Sequence, residues 1–294
     1  MNYYICFDIG GSSLKCGFLD EKAHILDKKT YIMTDTLDEL IENMKDFYRI
    51  YANQYNILGI AISSCGSVDC QTGVIAGISA VPFIHGFSWK EKIQKVFDLP
   101  CEIENDANCA ALSEVYFGKA QSVDDMAFFV IGTGVGGAIV KKRKVCHGAH
   151  RYGGEFGMMV SEDAEGNIKN LSLLASTSSM VRKMEDATKE AWNGKRIFEE
   201  ASCGNTLCQK SIQQFYHNLA IGVFNIQHTL DPEMILFGGG ISEREDFTIQ
   251  LMEEYNKICS KVDFDTIQPN LSCCTFRQDA NLIGALANYL SRKI

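Results

Sequence analysis

Twice in this chain an apolar run leads into a glycine-rich turn and straight out into a second apolar run, and this repetition limits the possible folds more than any other feature. The first instance is Tyr3 to Phe7, then Asp8-Ile9-Gly10-Gly11-Ser12-Ser13, then Leu14 to Leu19; the second is Met126 to Ile131, then Gly132-Thr133-Gly134-Val135-Gly136-Gly137, then Ala138 to Lys141. Each reads as a β-hairpin closed by glycines. Since both halves open in the same order, the pattern predicts a duplicated α/β architecture with one hairpin at the base of each half.

The segments after each hairpin fit that plan. A strand around His24 to Leu26 would complete a meander, and Leu37, Leu40, Ile41, Met44, Phe47, Tyr48 and Tyr51 recur at the spacing of an amphipathic helix. Ile57 to Ile62 is almost wholly apolar, as expected of a central parallel strand covered on both faces. Trp89 to Phe97 predicts a short helix, and the small, polar stretch Gly118 to Asp125 is the best domain boundary. Beyond it come a helical region of mixed signals from Ser176 to Glu200 and a long helix from Ser211 to Leu230. A strand at Met234 to Phe237 ends in Gly238-Gly239-Gly240, and helices come next near Glu243 to Lys261 and Ala280 to Arg292.

Glu104 to Glu114 carries a carboxylate at the junction of a short strand and a helix. Leu99 to Ile103 reads as loop and strand, and Ala107, Ala110, Ala111, Leu112 and Val115 then recur at helical spacing. Asp106 is thereby expected at a helix N-terminus, where it can serve simply as the N-cap. In the company of two glycine turns that let phosphates approach the backbone, it can also accept a hydroxyl proton during phosphoryl transfer.

Length and charge narrow the partners. The 294 residues are enough for two domains with a substantial core, and a net charge of −9 disfavours nucleic acid and anionic membranes. The basic run Lys141 to Lys144 reads as a solvated hairpin tip. Neither a signal peptide nor a membrane span is expected, which predicts a cytoplasmic protein. Its 12 cysteines are expected to be reduced thiols, many of them, such as Cys6, Cys16 and Cys109, in apolar runs. The close pairs Cys65 with Cys70, Cys203 with Cys208, and Cys273 with Cys274 lack the CxxC or histidine spacing of a zinc site.

Gly132, Gly134 and Gly137 formally match the dinucleotide fingerprint, the sole basis for a nicotinamide-dependent dehydrogenase. That fingerprint needs a helix after the turn, whereas Val135 to Val140 favours a strand. No P-loop sequence is present.

Taken together, the motifs resemble the ROK family of sugar kinases, glucokinase-like or β-glucoside kinase-like. The matching pieces are Asp8-Ile9-Gly10-Gly11, Glu104-Asn105-Asp106-Ala107-Asn108, Ile131 to Gly137, Gly153-Gly154-Glu155-Phe156-Gly157, and Asp231-Pro232-Glu233 with Gly238-Gly239-Gly240, in family order over nearly the whole chain. The resemblance implies a two-domain actin-like ATPase, ribonuclease H-like α/β fold with an interdomain cleft. An N-terminal domain over 1–118 would carry the sugar and first phosphate motifs, with helix 280–294 packing back on it; a C-terminal domain over 119–279 would carry the second phosphate and adenosine motifs.

By the same resemblance ATP would lie with its phosphates against Gly10, Gly11, Ser12, Lys15, Gly132, Thr133, Gly134 and Gly136 and its adenosine near Gly238, Gly239 and Gly240. Asp8 would hold magnesium through water, which neutralises charge in the loose transition state. Asn105, Gly66 and Glu155 would meet the sugar. Asp106 would take the proton of its 6-hydroxyl, and domain closure would exclude water. A homodimer acting on ATP and a small-molecule sugar is implied, without nucleic acid or membrane.

Two departures from the family pattern bear on substrate. The family usually reads Glu-x-Gly-His, with the histidine near the anomeric carbon and on zinc; here Met158 stands in its place, and Ser161 to Leu171 lacks the cysteines of the zinc loop. No zinc is expected. A glutamate that also binds near the anomeric hydroxyl is replaced by Ser172. The paired loss predicts a pocket opened for a substituent, so that Met158 and Ser172 would line the aglycone side of a β-glucoside. Family repressors carry a helix-turn-helix before the first motif, but only seven residues precede Asp8 here, and a non-catalytic sugar sensor is expected to lose Asp106, which is present.

Overall fold

The computed structural model describes residues 2–77, 79–163, 166–262 and 267–293. In chain order the first elements are β1 (Tyr3–Ile9), β2 (Ser13–Asp20), β3 (Ile25–Ile32), α1 (Leu37–Ala52), β4 (Ile57–Ser64), β5 (Ser67–Asp69), β6 (Val74–Ala76), α2 (Trp89–Phe97), β7 (Cys101–Asn105) and α3 (Asp106–Phe117). Next come β8 (Met126–Ile131), β9 (Val135–Lys141), β10 (Lys144–Val145), β11 (Val160–Glu162), β12 (Ile168–Asn170), α4 (Leu171–Ala175), α5 (Thr177–Thr188), α6 (Gly194–Ser202) and α7 (Thr206–Leu230). The last are β13 (Met234–Gly238), α8 (Phe247–Val262), β14 (Leu271–Cys273) and α9 (Ala280–Ser291). None of the helices among these residues is long and apolar enough to cross a membrane.

The chain divides into two compact units: Met1–Ser122 with His147–Tyr152 and Gln278–Ile294, and Val123–Cys146 with Gly153–Arg277. Residues 147–152, expected in the C-terminal domain, thus cluster with the N-terminal unit. Its sheet has the order β3-β2-β1-β4-β7, the first pairs antiparallel and the β1-β4-β7 pairs parallel. Buried Ile5, Phe7, Ile60, Ile62 and Ile103 face Leu40, Met44 and Phe47 of α1 within one core. On the other side of the fold α9 packs against α3, β4 and β1. The C-terminal unit repeats the plan as β10-β9-β8-β13-β14 around a second core that includes Phe129, Phe237, Phe215 and Phe247.

Three differences from the sequence expectation have local causes. Strand β3 runs on to Ile32 although Asp27, Lys28 and Lys29 are exposed, because an edge strand needs only its backbone pairing with β2, and charges protect its open side. Helix α7 begins at Thr206 rather than Ser211. Its cap, Asn205, accepts the N–H groups of Leu207 and Cys208 at 3.1 and 3.3 Å, and a first turn needs no apolar face. Strand β9 begins at Val135, so part of the glycine turn is already strand. The Lys142-Arg143 tip has φ of 50° and 63°, the left-handed pair of a tight hairpin turn; Lys142 and Lys144 are exposed as expected of a solvated tip, whereas Lys141 and Arg143 are half-buried and bonded to Asp125 and the Val123 carbonyl.

Candidate active site

Asp8 is built into the N-terminal sheet by register. It pairs with Lys15 across β2 and with Ser63 across β4, so the three side chains share one face. Ser63 Oγ donates to Asp8 Oδ1 at 2.9 Å, Asn281 Nδ2 of α9 donates to the same oxygen at 3.0 Å, and Lys15 Nζ lies 3.3 Å from Oδ2. The carboxylate is 4% exposed and cannot swing. A fixed, hard oxygen whose charge Lys15 already offsets fits a hydrated magnesium ion better than a direct metal ligand. Neither Ser63 nor Asn281 was singled out by sequence. The parallel β1-β4 register could have suggested Ser63, but nothing local links Asn281 to a residue 273 positions away.

At the end of β7 the structure corrects the expected capping. Asn105, not Asp106, is the N-cap of α3: its Oδ1 accepts the N–H groups of Ala107 and Asn108 at 3.0 and 3.2 Å. Asn105 Nδ2 donates to the carbonyl of Gly66 at 3.1 Å. Its side chain therefore organises the loop as well as the helix, and only the second amide hydrogen is left for a sugar hydroxyl. Asp106 becomes the first helical residue, half-buried, with Oδ1 accepting the Ala107 N–H at 2.8 Å. Because Asn105 does the capping, the structural explanation for a carboxylate at 106 weakens. The helix N-terminus still favours the ionised form that a base requires.

Preceding both is Glu104, 1% exposed, whose Oε1 accepts the N–H of Asn105 at 2.7 Å and Nδ2 of Asn108 at 3.0 Å. Its Oε2 meets His147 Nε2 at 2.7 Å and the Cys70 thiol at 2.9 Å. Burial pushes Glu104 up, but the His147 hydrogen bond and charge, with Cys70 and Asn108, outweigh it and hold the carboxyl below its ordinary value. The hydrogen bond to Glu104 raises His147 against its own burial, and burial raises the Cys70 thiol. Sequence spacing gave no sign of this cluster.

In the C-terminal unit the second turn is closed by the Gly132 N–H to the Gly134 carbonyl at 2.9 Å, and the N–H of Ser178, in the first turn of α5, reaches the Gly132 carbonyl at 3.3 Å. The motif glycines fall into two classes. A side chain at Gly239 would put its Cβ 2.1 Å from the Ile131 carbonyl oxygen at a φ of +90°, and one at Gly238 would meet Phe128 at 2.9 Å, so the fold itself requires both. At Gly132, Gly136 and Gly240 a Cβ would meet nothing within 4 Å, at a φ open to any residue. A strand comes directly after the turn, which removes the dinucleotide reading and with it the dehydrogenase.

Glu155 of the sugar motif is exposed at the start of a short 3₁₀ turn, Phe156–Met158, anchored by buried Phe156 against Phe129 with ring centroids 4.6 Å apart. Met158 is 62% exposed, hence not core filler. Ser172 differs from expectation: its hydroxyl accepts the Val135 N–H at 2.9 Å and donates to the Val135 carbonyl at 3.2 Å, closing α4 onto β9. Where the zinc loop was sought, β11 and β12 form an antiparallel ladder with Lys169 and Asp163 paired at 2.6 Å. Asn105, Asp106 and Gly66 thus belong to the N-terminal unit; Glu155, Met158 and Ser172 belong to the C-terminal one.

Comparison with known proteins bears on these motifs. A family model described as the ROK family matches residues 4–292. A β-glucoside kinase of Listeria monocytogenes is 33% identical over 98% of this chain and 97% of its own, and one of Klebsiella pneumoniae is 29% identical over 96% and 94%. Among solved structures, a ROK family protein from Streptococcus pneumoniae in complex with sucrose matches with a TM-score of 0.92 and 38% identity, covering 99% of both chains. The two sheets with their hairpin-plus-parallel order are those of the actin-like ATPase fold.

Proposed function

Since the chain belongs to the ROK family and is a carbohydrate kinase, we propose that it transfers the γ-phosphate of ATP to the 6-hydroxyl of a hexoside, taking a β-glucoside such as cellobiose at least as well as glucose. In this reading Asp106 takes the proton of the attacking hydroxyl. The loose transition state asks little covalent work of the protein, so placement of that hydroxyl matters most. Asn105 fixes the Asp106 backbone by capping α3 and offers its remaining amide hydrogen to the sugar; Glu104 in turn fixes Asn105. Asp8, locked by Ser63, Asn281 and Lys15, would hold hydrated magnesium, whose charge, when bound, offsets that on the transferred phosphoryl group. Gly132, Gly136 and Gly240, which the fold does not require, leave backbone open to the nucleotide.

One observation carries the substrate class: the two positions where family members place charged groups toward the anomeric carbon offer none here. Met158 presents an exposed thioether, and the Ser172 hydroxyl is taken up by Val135. A site with histidine and glutamate there would leave them unpaired against a capped anomeric oxygen; this one carries no such penalty. The β-glucoside kinases among its relatives support the same direction; the sucrose bound to a structural neighbour, an α-glucoside, supports a capped anomeric oxygen but not the β configuration. Coupled ADP release over a panel of hexoses and β-glucosides, with the phosphorylated position read by NMR, tests it. Sugar-dependent ADP release with phosphate on the 6-hydroxyl is expected, and ATP turnover indifferent to sugar would remove the reading.

A further inference from the structure

We propose that Cys70, Glu104 and His147 form a binding site for one thiophilic divalent cation of the zinc type, within the N-terminal unit. The ligands come from the turn after β5, the end of β7 and the 147–152 segment, and Sγ, Oε2 and Nε2 all lie within 4.8 Å of one another. The Oε2 atom is 2.9 Å from Sγ and 2.7 Å from Nε2, and Sγ stands 3.6 Å from Nε2. Tetrahedral zinc bonds to sulfur at about 2.3 Å and to nitrogen or oxygen at about 2.0–2.2 Å, which sets ligand atoms roughly 3.3–3.7 Å apart. The sulfur–nitrogen pair already has that spacing, and the carboxylate oxygen needs to withdraw by only about 0.6–0.8 Å.

Three features distinguish the cluster from a chance meeting of polar side chains. Cys70 and Glu104 are 5% and 1% exposed, so a thiol and a carboxylate, both able to ligate a cation, are buried side by side with His147. Glu104 Oε1 is held by Asn105 and Asn108, which fixes Oε2 toward the other two donors. His147, its side chain 32% exposed, opens on a cavity of about 270 Å³ that also touches Asp69, Gln71, Arg151 and Arg292, with room for a water as fourth ligand. One thiolate, one imidazole and one carboxylate oxygen suit zinc or cobalt; magnesium and calcium prefer oxygen alone, so the site would not compete for the ion of the nucleotide.

Charge and protons balance. As the metal–sulfur and metal–nitrogen bonds form, the Cys70 proton leaves to solvent, His147 binds as neutral imidazole with its remaining proton on Nδ1 and, where it starts as imidazolium, gives its Nε2 proton to solvent as well, Oε2 exchanges its hydrogen bonds for a metal bond, and no electron moves. The thiolate and carboxylate then cancel the two positive charges. The charged groups around the cluster are Arg151, paired with Asp69, and Arg292, 3.6 Å from Glu102, which Lys90 holds at 2.8 Å. Burial and Glu104 raise the Cys70 thiol more than Arg292 and Lys90 lower it, and the Glu104 hydrogen bond raises His147 more than the two arginines lower it, so the metal has to displace both protons. Ligands 34 and 43 residues apart in sequence escape any spacing rule; the expectation of no zinc rests on the missing loop alone, and zinc bound at this cluster would overturn it.

Full-length protein freed of metal with a chelator and titrated with cobalt(II) decides the matter. One equivalent is expected to give a sulfur-to-cobalt charge-transfer band with tetrahedral d–d bands, both abolished by added zinc. Cys70→Ser should lose the charge-transfer band, and His147→Gln, whose amide can still donate to buried Glu104, should weaken cobalt binding at least ~10-fold. Circular dichroism checks the fold of each, and if Cys70→Ser misfolds, His147→Gln decides alone. A wild-type protein without the band, or a band unchanged in His147→Gln and so arising from other cysteines, overturns the proposal.

Discussion

The hairpins that open the two units share a topology and differ in what they carry. In each, the hairpin lies beside parallel strands, β1-β2 next to β4 and β8-β9 next to β13. The last pairs of the ladders, Ile9 with Leu14 and Ile131 with Val135, bring Asp8 into correspondence with Val130. Three side chains immobilise the carboxylate in the first; in the second the same place is apolar, and the turn beside it offers open backbone at Gly132 and Gly136. On one topology the N-terminal hairpin carries a fixed charged side chain and the C-terminal one an open stretch of backbone. Substitutions that respect or violate this division should separate accordingly.

The largest effect is expected at Asp106. With Asn there, the amide keeps the shape without a useful base, and phosphoryl transfer should fall by at least ~10³-fold while sugar and ATP affinities stay within about an order of magnitude. Turnover near wild type would break the assignment of chemistry to the N-terminal unit. Next, Asp8→Asn should lower kcat/KM by roughly 10–100-fold, about 1.4–2.7 kcal/mol, with a raised magnesium requirement in a metal titration. An unchanged magnesium dependence would leave Asp8 a purely structural partner of Lys15.

The C-terminal glycines sharpen the comparison further. Gly239→Ala should destabilise the fold by at least ~2 kcal/mol in denaturant unfolding, through the left-handed φ and the Ile131 carbonyl in its way. Gly132→Ala should leave stability within ~0.5 kcal/mol yet raise the KM for ATP several-fold, since its Cβ would meet nothing in the protein. Equal stability losses would show that the fold, rather than a ligand, requires both.

How far the molecule could be read from sequence depends on the range of the interaction. Trp89–Phe97 and Leu37–Ala52 are legible because an apolar stripe at helical spacing is a local signal. Both glycine turns and the Asp106 junction are legible because motif order is preserved along the chain. Polar edge strand β3 is misjudged, since its partner rather than its own pattern makes it a strand. Asn105 as cap, Asn281 on Asp8 and the Cys70–Glu104–His147 cluster are contacts across the fold, decided by register and packing after the elements exist. Ser172 teaches the same lesson: its loss of charge was visible, but its hydroxyl bonding to Val135 was not.

The most direct test of β-glucoside phosphorylation is the ratio of kcat/KM for cellobiose to that for glucose, measured in one coupled assay with saturating ATP and magnesium. With Met158 exposed and Ser172 bonded to backbone, nothing charged should oppose a capped anomeric oxygen, and the ratio is expected to be one or greater. A preference for free glucose of more than about tenfold, or about 1.4 kcal/mol of transition-state binding, would contradict it and leave a hexokinase of the ordinary kind.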